Sequence, residues 1–111
     1  MNYLPFLFVT VGTFLAAAGQ IYLKLGATGA QTAWDFVNTR TITGLALYGV
    51  GSLLWIIALA RLPLSKVYPF TILTFVLVYA ASATILGEPM TPRVLAGAGL
   101  VIAGLLVITT A

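Results

Sequence analysis

The chain consists of four long apolar stretches separated by shorter segments that hold most of its polar residues. The stretches cover about residues 4–25, 42–60, 67–86 and 92–110. Each approaches the roughly 20 apolar residues that an α-helix needs to cross a bilayer core. Barrel strands are about half as long and alternate apolar with polar positions, so strands are excluded. The pattern predicts one all-α integral membrane domain over residues 1–111, with four transmembrane helices.

Proline marks the second connection. The residue before a proline is disfavoured in α conformation, so Leu62-Pro63 ends the second span. Two starts for the third span remain open: Ser65 as its N-cap, or Pro69 at the first helical position.

The other two connections differ in length. Residues 87–89, Gly-Glu-Pro, end the third span, and Thr91 with Pro92 opens the fourth as N-cap and first-turn proline. Both this link and the second are tight, so their flanking helices must be antiparallel. The first connection, residues 26–41, contains Trp34, a residue type that favours the membrane–water interface. We expect this segment to lie on the interface as one short helical turn.

The amino-acid composition excludes several classes of protein. The chain is 61% hydrophobic and 6% charged, whereas soluble domains carry about a quarter charged residues. This excludes an ordinary soluble protein, a disordered tail and a nucleic-acid-binding domain. There is no Cys and no His, and the acids are Asp35 and Glu88 alone. We therefore expect no enzyme, no metal site and no cofactor.

Charge in the loops leaves orientation open. Arg61 and Lys66 share one membrane side with the termini, and Lys24, Arg40 and Arg93 share the other. Two cations against three give almost no bias under the positive-inside rule. Either the orientation is fixed and weakly specified, or identical chains insert in both senses and pair as an antiparallel dimer.

Gln20 is the most polar residue within any span. Gly12, Ala16, Gln20 and Lys24 recur every four residues and share one stripe of the first span. Such a stripe lets another helix approach or lines a cavity. In the simpler interpretation, Gln20 bonds a neighbouring helix and Lys24 reaches the headgroups.

Further polar and aromatic residues lie in the second and third spans. Trp55 is close to Arg61, and Tyr68 adjoins Pro69 near a helix end. Thr71 and Thr74 follow on one helical face, although threonine often bonds its own helix carbonyls. Polar groups in hydrocarbon are site candidates by default. The candidate substrate-binding residues are Gln20, Lys24, Trp55, Tyr68, Thr71 and Thr74.

The rims and the fourth span supply other candidates. Arg61, Lys66 and Arg93 are candidate phosphate ligands, with interfacial anchoring as the alternative. Glu88 is either a coupling carboxylate or a local ion-pair partner of Arg93. The fourth span is rich in small residues that allow close helix approach, which predicts a packing or dimerisation surface. Its members are Gly97, Gly99, Ala103 and Gly104.

Three motifs together resemble a known superfamily. They are Ala18-Gly19-Gln20 with Lys24, then Leu62-Pro63 with Val67-Tyr68-Pro69, and finally Gly87-Glu88-Pro89-Met90-Thr91-Pro92-Arg93. Their order and spacing are similar to those of four-helix members of the drug/metabolite transporter superfamily, over nearly the whole chain.

Two branches of that superfamily compete. Small multidrug resistance exporters are antiparallel dimers that exchange protons for lipophilic cations through a glutamate in the first helix. This chain has Ala16 there, and no span contains an acid. The motifs resemble more closely the small subunits that flip undecaprenyl-phosphate-linked aminoarabinose, a precursor in lipid A modification, although Lys66 departs from that pattern.

The resemblance implies a flippase, or a flippase subunit, for a polyprenyl-phosphate-linked sugar in a bacterial inner membrane. Four helices enclose little volume, so a homodimer or a heterodimer with a similar small subunit is expected. Two alternatives remain: an exporter of small cations or metabolites, and a non-transporting subunit that assembles an enzyme.

Overall fold

A computed structural model describes residues 3–110, with side chains described through Ile108. Five α-helices and two 3-10 turns make up this part of the chain, which contains no strand. They are α1 (Leu4–Ala27), η1 (Ala33–Phe36), α2 (Thr39–Leu59), α3 (Leu64–Val67), η2 (Tyr68–Phe70), α4 (Thr71–Thr84) and α5 (Pro92–Thr110). The predicted all-α class is confirmed.

Within the described residues, three stretches are long and apolar enough to cross a membrane. They are Leu4–Ala27, Thr39–Leu59 and Leu64–Thr84, with mean hydropathies of 1.7, 2.0 and 1.6. Helix α5 is also apolar but shorter over its described side chains. The chain is thus a multi-pass membrane protein, and the crossing of α5 stays a prediction.

The closest packing joins α1 to α2 through glycines. A Cβ placed on Gly19 would lie 2.7 Å from the backbone nitrogen of Tyr48 and 2.8 Å from the carbonyl oxygen of Gly44. A Cβ on Gly12 would lie 2.7 Å from the carbonyl oxygen of Gly51. The two backbones therefore touch, and any side chain larger than hydrogen would separate them.

These glycines follow a seven-residue spacing on each helix. Gly12, Gly19 and Gly26 lie on α1, and Gly44 and Gly51 lie on α2. All five are buried. We call this set the glycine seam. A seven-residue repeat keeps one face of each helix toward its partner over several turns, so the seam fixes the register of the antiparallel pair.

The first connection closes the seam at one end. The carboxylate of Asp35 accepts hydrogen bonds from the backbone N–H groups of Gln31 and Thr32, at 2.9 and 3.0 Å. These bonds hold the pKa of Asp35 below its usual value. Asn38 caps α2 by accepting from the N–H of Thr41 at 3.0 Å, and its Nδ2 donates to the carbonyl of Gly26 at 2.8 Å. The predicted short helical turn is confirmed as η1; its position on the membrane surface stays a prediction.

The start of the third span differs from both expectations. Helix α3 begins at Leu64, and Pro63 is its N-cap residue, so Ser65 is not the N-cap and Pro69 is not the first helical residue. Pro69 lies inside η2 instead. A proline has no N–H to donate to the preceding turn, and the chain passes this point as a tighter 3-10 turn.

The last connection follows the sequence signals. Helix α4 ends at Thr84, two residues before the predicted limit. Gly87 has a φ of +66°, which favours glycine, and the N–H of Glu88 then donates to the carbonyl of Ser82 at 2.8 Å. The hydroxyl of Thr91 accepts from the N–H of Val94 at 3.2 Å, which confirms Thr91 as the N-cap of α5.

Helix α5 is attached loosely. Its main contacts are with α4 and η2, and none of its described side chains is buried. A Cβ on Gly97, Gly99 or Gly104 would meet nothing within 4 Å among the described residues. The small-residue surface predicted on the fourth span is therefore open in this chain, and its role in dimerisation stays a prediction.

Candidate functional site

A cavity of about 400 Å³ lies between α1, α2 and the third span. Its walls include five of the six predicted substrate-binding residues, which come from helices far apart in sequence. These residues are Gln20, Trp55, Tyr68, Thr71 and Thr74. No charged side chain is among the residues that line it.

Two smaller cavities continue this space along α1 and α4. The next, of about 240 Å³, shares Gln20, Thr71 and Thr74 with the first. The last, of about 200 Å³, shares Gln20 and Val78 with the second. We call the three together the groove. It extends from Tyr68, near the start of the third span, towards the loops at the opposite end.

Gln20 lines all three cavities of the groove. Its carboxamide makes no hydrogen bond to any residue that the structure describes, so the interhelical bond weighed from the sequence is not present. A carboxamide offers two N–H donors and an oxygen with two lone pairs. Gln20 therefore presents unused hydrogen-bonding capacity at the centre of the groove.

Trp55 is held in place by a residue that the sequence analysis did not single out. Its indole Nε1 donates to the hydroxyl of Thr13 at 3.1 Å, and that hydroxyl donates to the carbonyl of Val9 at 2.7 Å. Thr13 is fully buried. Because the indole N–H is occupied, Trp55 offers the groove its ring rather than its donor. The only signal in the sequence for Thr13 was its position directly after Gly12, a member of the predicted four-residue stripe.

The third-span candidates differ in what they can offer. The hydroxyl of Thr71 donates to the carbonyl of Tyr68 at 2.8 Å, so it keeps only acceptor capacity for a ligand. This is the bond to its own helix that the sequence left open as the alternative. Tyr68 is 56% exposed at the mouth of the first cavity.

Charge occurs at only one end of the groove. Lys24 and Glu88 line its smallest cavity, so Glu88 shares a cavity with Lys24 and not with Arg93. The two larger cavities have no charged residue among those that line them. Arg61, Lys66 and Arg93 line no part of the groove. Their role as phosphate ligands stays a prediction.

The groove suits a neutral ligand group that forms hydrogen bonds. Its middle offers an amide, hydroxyls and an aromatic ring, while one end carries Lys24 and the exposed carboxylate of Glu88. It lacks the buried carboxylate that would hold an organic cation or a proton within the membrane.

Comparison with known proteins identifies the family of this chain. The sequence profile of the EamA-like transporter family matches residues 1–110. The chain is 33% identical over 108 residues to the probable 4-amino-4-deoxy-L-arabinose-phosphoundecaprenol flippase subunit ArnE of Serratia proteamaculans, covering 94% of each chain. It is 32% identical over 100 residues to the ArnE subunit of Klebsiella pneumoniae, covering 88% of this chain and 89% of that protein.

A related subunit matches more strongly over a shorter region. The chain is 45% identical over 67 residues to the probable flippase subunit ArnF of Erwinia tasmaniensis, covering 59% of this chain and 53% of that protein. No solved structure matches the chain. The family consists of transporters, in agreement with the expectation that the chain is not an enzyme. The match over nearly the whole chain confirms the predicted resemblance: this chain belongs to the EamA-like transporter family.

Proposed function

We propose that this chain is a subunit of a flippase that moves a polyprenyl-phosphate-linked sugar across a bacterial inner membrane. One observation carries the proposal: the two larger cavities of the groove have no charged residue in their lining, and the amide of Gln20, at the centre, has no hydrogen-bond partner among the described residues. The names of the related ArnE and ArnF proteins support the substrate class.

The groove fits the headgroup of such a lipid. A sugar brings several hydroxyls that lose their water on entering the membrane and need replacement hydrogen bonds. Gln20 supplies both donors and acceptors, and the ring of Trp55 supplies an apolar face for the sugar ring. Lys24, which shares the smallest cavity with Glu88, supplies a positive charge for the phosphate when the headgroup is at that end of the groove.

A partner chain is part of the proposal. The relatives are named as subunits of two kinds, ArnE and ArnF, and this chain matches both. The open glycine surface of α5 leaves room for a second helix. We propose a dimer, formed with a second copy or with a similar four-helix subunit.

Translocation in liposomes tests the function directly. The chain is reconstituted alone and with its candidate partner, and a short-chain polyprenyl-phosphate aminosugar is followed from one leaflet to the other. We expect acceleration over protein-free liposomes. The variant Gln20→Leu should slow translocation about tenfold, because hydrogen bonds to the moving sugar are lost. Gln31→Leu, an exposed loop glutamine, is the matched control and should be silent.

Other results would contradict the proposal. If the wild-type chain does not accelerate translocation, either alone or with its partner, the proposed flippase function is wrong. Proton flux driven by an organic cation and abolished in Glu88→Gln would indicate an exporter. Heteromeric cross-links with Gln20→Leu and Lys24→Ala both silent would indicate an assembly subunit.

A further inference from the structure

A separate cavity, of about 440 Å³, lies outside the groove, between the first turns of α1 and the last turns of α2. We call it the cleft. Apart from Arg61, every residue that lines it is apolar. These residues are Leu4, Pro5, Phe8, Ile56, Ile57 and Ala60. Of the residues that line the cleft, the sequence pointed to Arg61 alone, as a candidate phosphate ligand.

The cleft adjoins the groove. Ile56 lines both the cleft and the largest cavity of the groove. The side chains of Leu4, Ile56 and Ile57 are 50%, 60% and 49% exposed, so they face the lipid when the chain is in a bilayer. One ligand molecule can therefore occupy the groove with its polar part and the cleft with its apolar part.

Charge at the cleft selects an anionic ligand. Arg61 is the charged residue among those that line the cleft, and Lys66 lies in the same connection. Both acidic side chains of the chain, Asp35 and Glu88, lie in the loops at the opposite end of the helices. A guanidinium with no competing carboxylate nearby is suited to bind a phosphate by two parallel hydrogen bonds.

We infer that the cleft binds the isoprenoid units next to the phosphate of a polyprenyl phosphate, with Arg61 as the ligand of that phosphate. The sugar beyond the phosphate then passes Ile56 into the groove. This inference rests on the proposed function for its substrate class and adds a separate binding site for the chain of that substrate. It assigns Arg61, at the cleft, to the phosphate at this end of the protein.

Filling the cleft tests the inference. The purified full-length protein in detergent is titrated with a short-chain polyprenyl phosphate that carries no sugar, and binding is measured by native mass spectrometry. Ala60→Trp places an indole in the cleft and should weaken binding about tenfold, because isoprenoid contacts are lost. Leu53→Trp, at a 59% exposed position of α2 outside the cleft, should change binding less than about twofold.

A second set of variants tests the phosphate ligand independently of steric effects. Arg61→Gln should weaken binding about tenfold, and Arg61→Lys should restore part of it. Arg40→Gln removes a cation from the opposite end and should be silent. Thermal unfolding without lipid shows that each variant is folded.

The outcomes separate this inference from the proposed function. Equal binding by wild type, Ala60→Trp and Arg61→Gln would overturn the inference, as would phosphatidylglycerol binding as tightly as polyprenyl phosphate. The proposed function is tested by the gain in affinity when the sugar is present and by its loss in Gln20→Leu. Binding of the sugar-free lipid with no gain from the sugar would keep the cleft and remove the sugar flippase.

Discussion

Two groups of glycines in this chain have opposite surroundings. In the glycine seam, the space above each Cα is filled by the backbone of the facing helix, at distances as short as 2.7 Å for Gly12 and Gly19. On α5, the space above Gly97, Gly99 and Gly104 is empty among the described residues. The first group joins two helices of one chain, and the second is free to meet another chain.

Small residues in a membrane helix thus indicate a close contact without identifying which helix or chain provides the partner. Without a hydrophobic driving force between helices in lipid, association depends on close packing. The same residue type therefore serves folding on α1 and α2, while on α5 it remains available for assembly. Substitutions in the glycine seam should therefore lower stability, whereas substitutions on α5 should leave the chain folded and weaken its assembly.

Breaking the seam should give the largest effect. Gly19→Val would drive a branched side chain into the backbone of Tyr48 and Gly44, neither of which can move aside. We expect a loss of about 3 kcal/mol in the free energy of unfolding, measured by thermal or denaturant unfolding in detergent. The control is Gly49→Val, on α2, where a Cβ would meet nothing within 4 Å. Equal stability of both variants would contradict a backbone contact at the seam.

Filling the α5 surface should leave the fold intact and weaken assembly. The double variant Gly97→Leu with Gly104→Leu should lower association about tenfold, because the close helix approach is lost. Association is measured by cross-linking or energy transfer over a detergent dilution series. Gly49→Leu should not change it. Unchanged association in the double variant would remove α5 from the interface.

Removing the hydrogen bonds at the loop end of the glycine seam should lower the free energy of unfolding less than Gly19→Val does. Asn38→Ala removes the N-cap of α2 and the bond to Gly26, so we expect a loss of about 1–2 kcal/mol in the free energy of unfolding. Asn38→Asp keeps the capping oxygen but removes both N–H donors, and should fall between wild type and Asn38→Ala. If both variants match wild type, the loop does not hold the seam in register.

The smallest effect on stability should come from protonation of Asp35 at low pH. The pKa of Asp35 is lowered by the N–H groups of Gln31 and Thr32, so its stabilising effect is complete above the unfolded pKa of about 3.9. It is lost as the pH falls through the lower folded value. Thermal unfolding between pH 5 and 2 should therefore be less pH-dependent in Asp35→Asn than in wild type. Identical pH profiles would exclude this contribution.

Much of the fold follows from the sequence because membrane helices have simple requirements. Length and hydropathy located the helices, and Thr91 and Gly87 marked ends that the structure confirms. The start of the third span could not be chosen, because Ser65 and Pro69 both carry start signals. The structure places Pro63 at the N-cap of α3 and Pro69 in the 3-10 turn η2, between α3 and α4.

The individual residues of the candidate site could be predicted from the sequence, but the cavities that they line could not. Polarity within a span identified Gln20, Thr71 and Thr74, and the structure places them on one groove. The cleft escaped notice because its lining is as apolar as any lipid-facing surface. The glycine seam escaped notice because a seven-residue spacing gives a face only when the facing helix is known.

The backbone contact along the glycine seam also limits how this protein changes shape. Helices in direct main-chain contact have no layer of flexible side chains between them that would let them slide, so α1 and α2 should move as one rigid unit. The groove lies between this unit and α4. Opening the groove to one membrane side and then to the other therefore requires movement of α4. Spin labels on α1 and α2 should then keep a constant separation during transport, while labels on α1 and α4 should not.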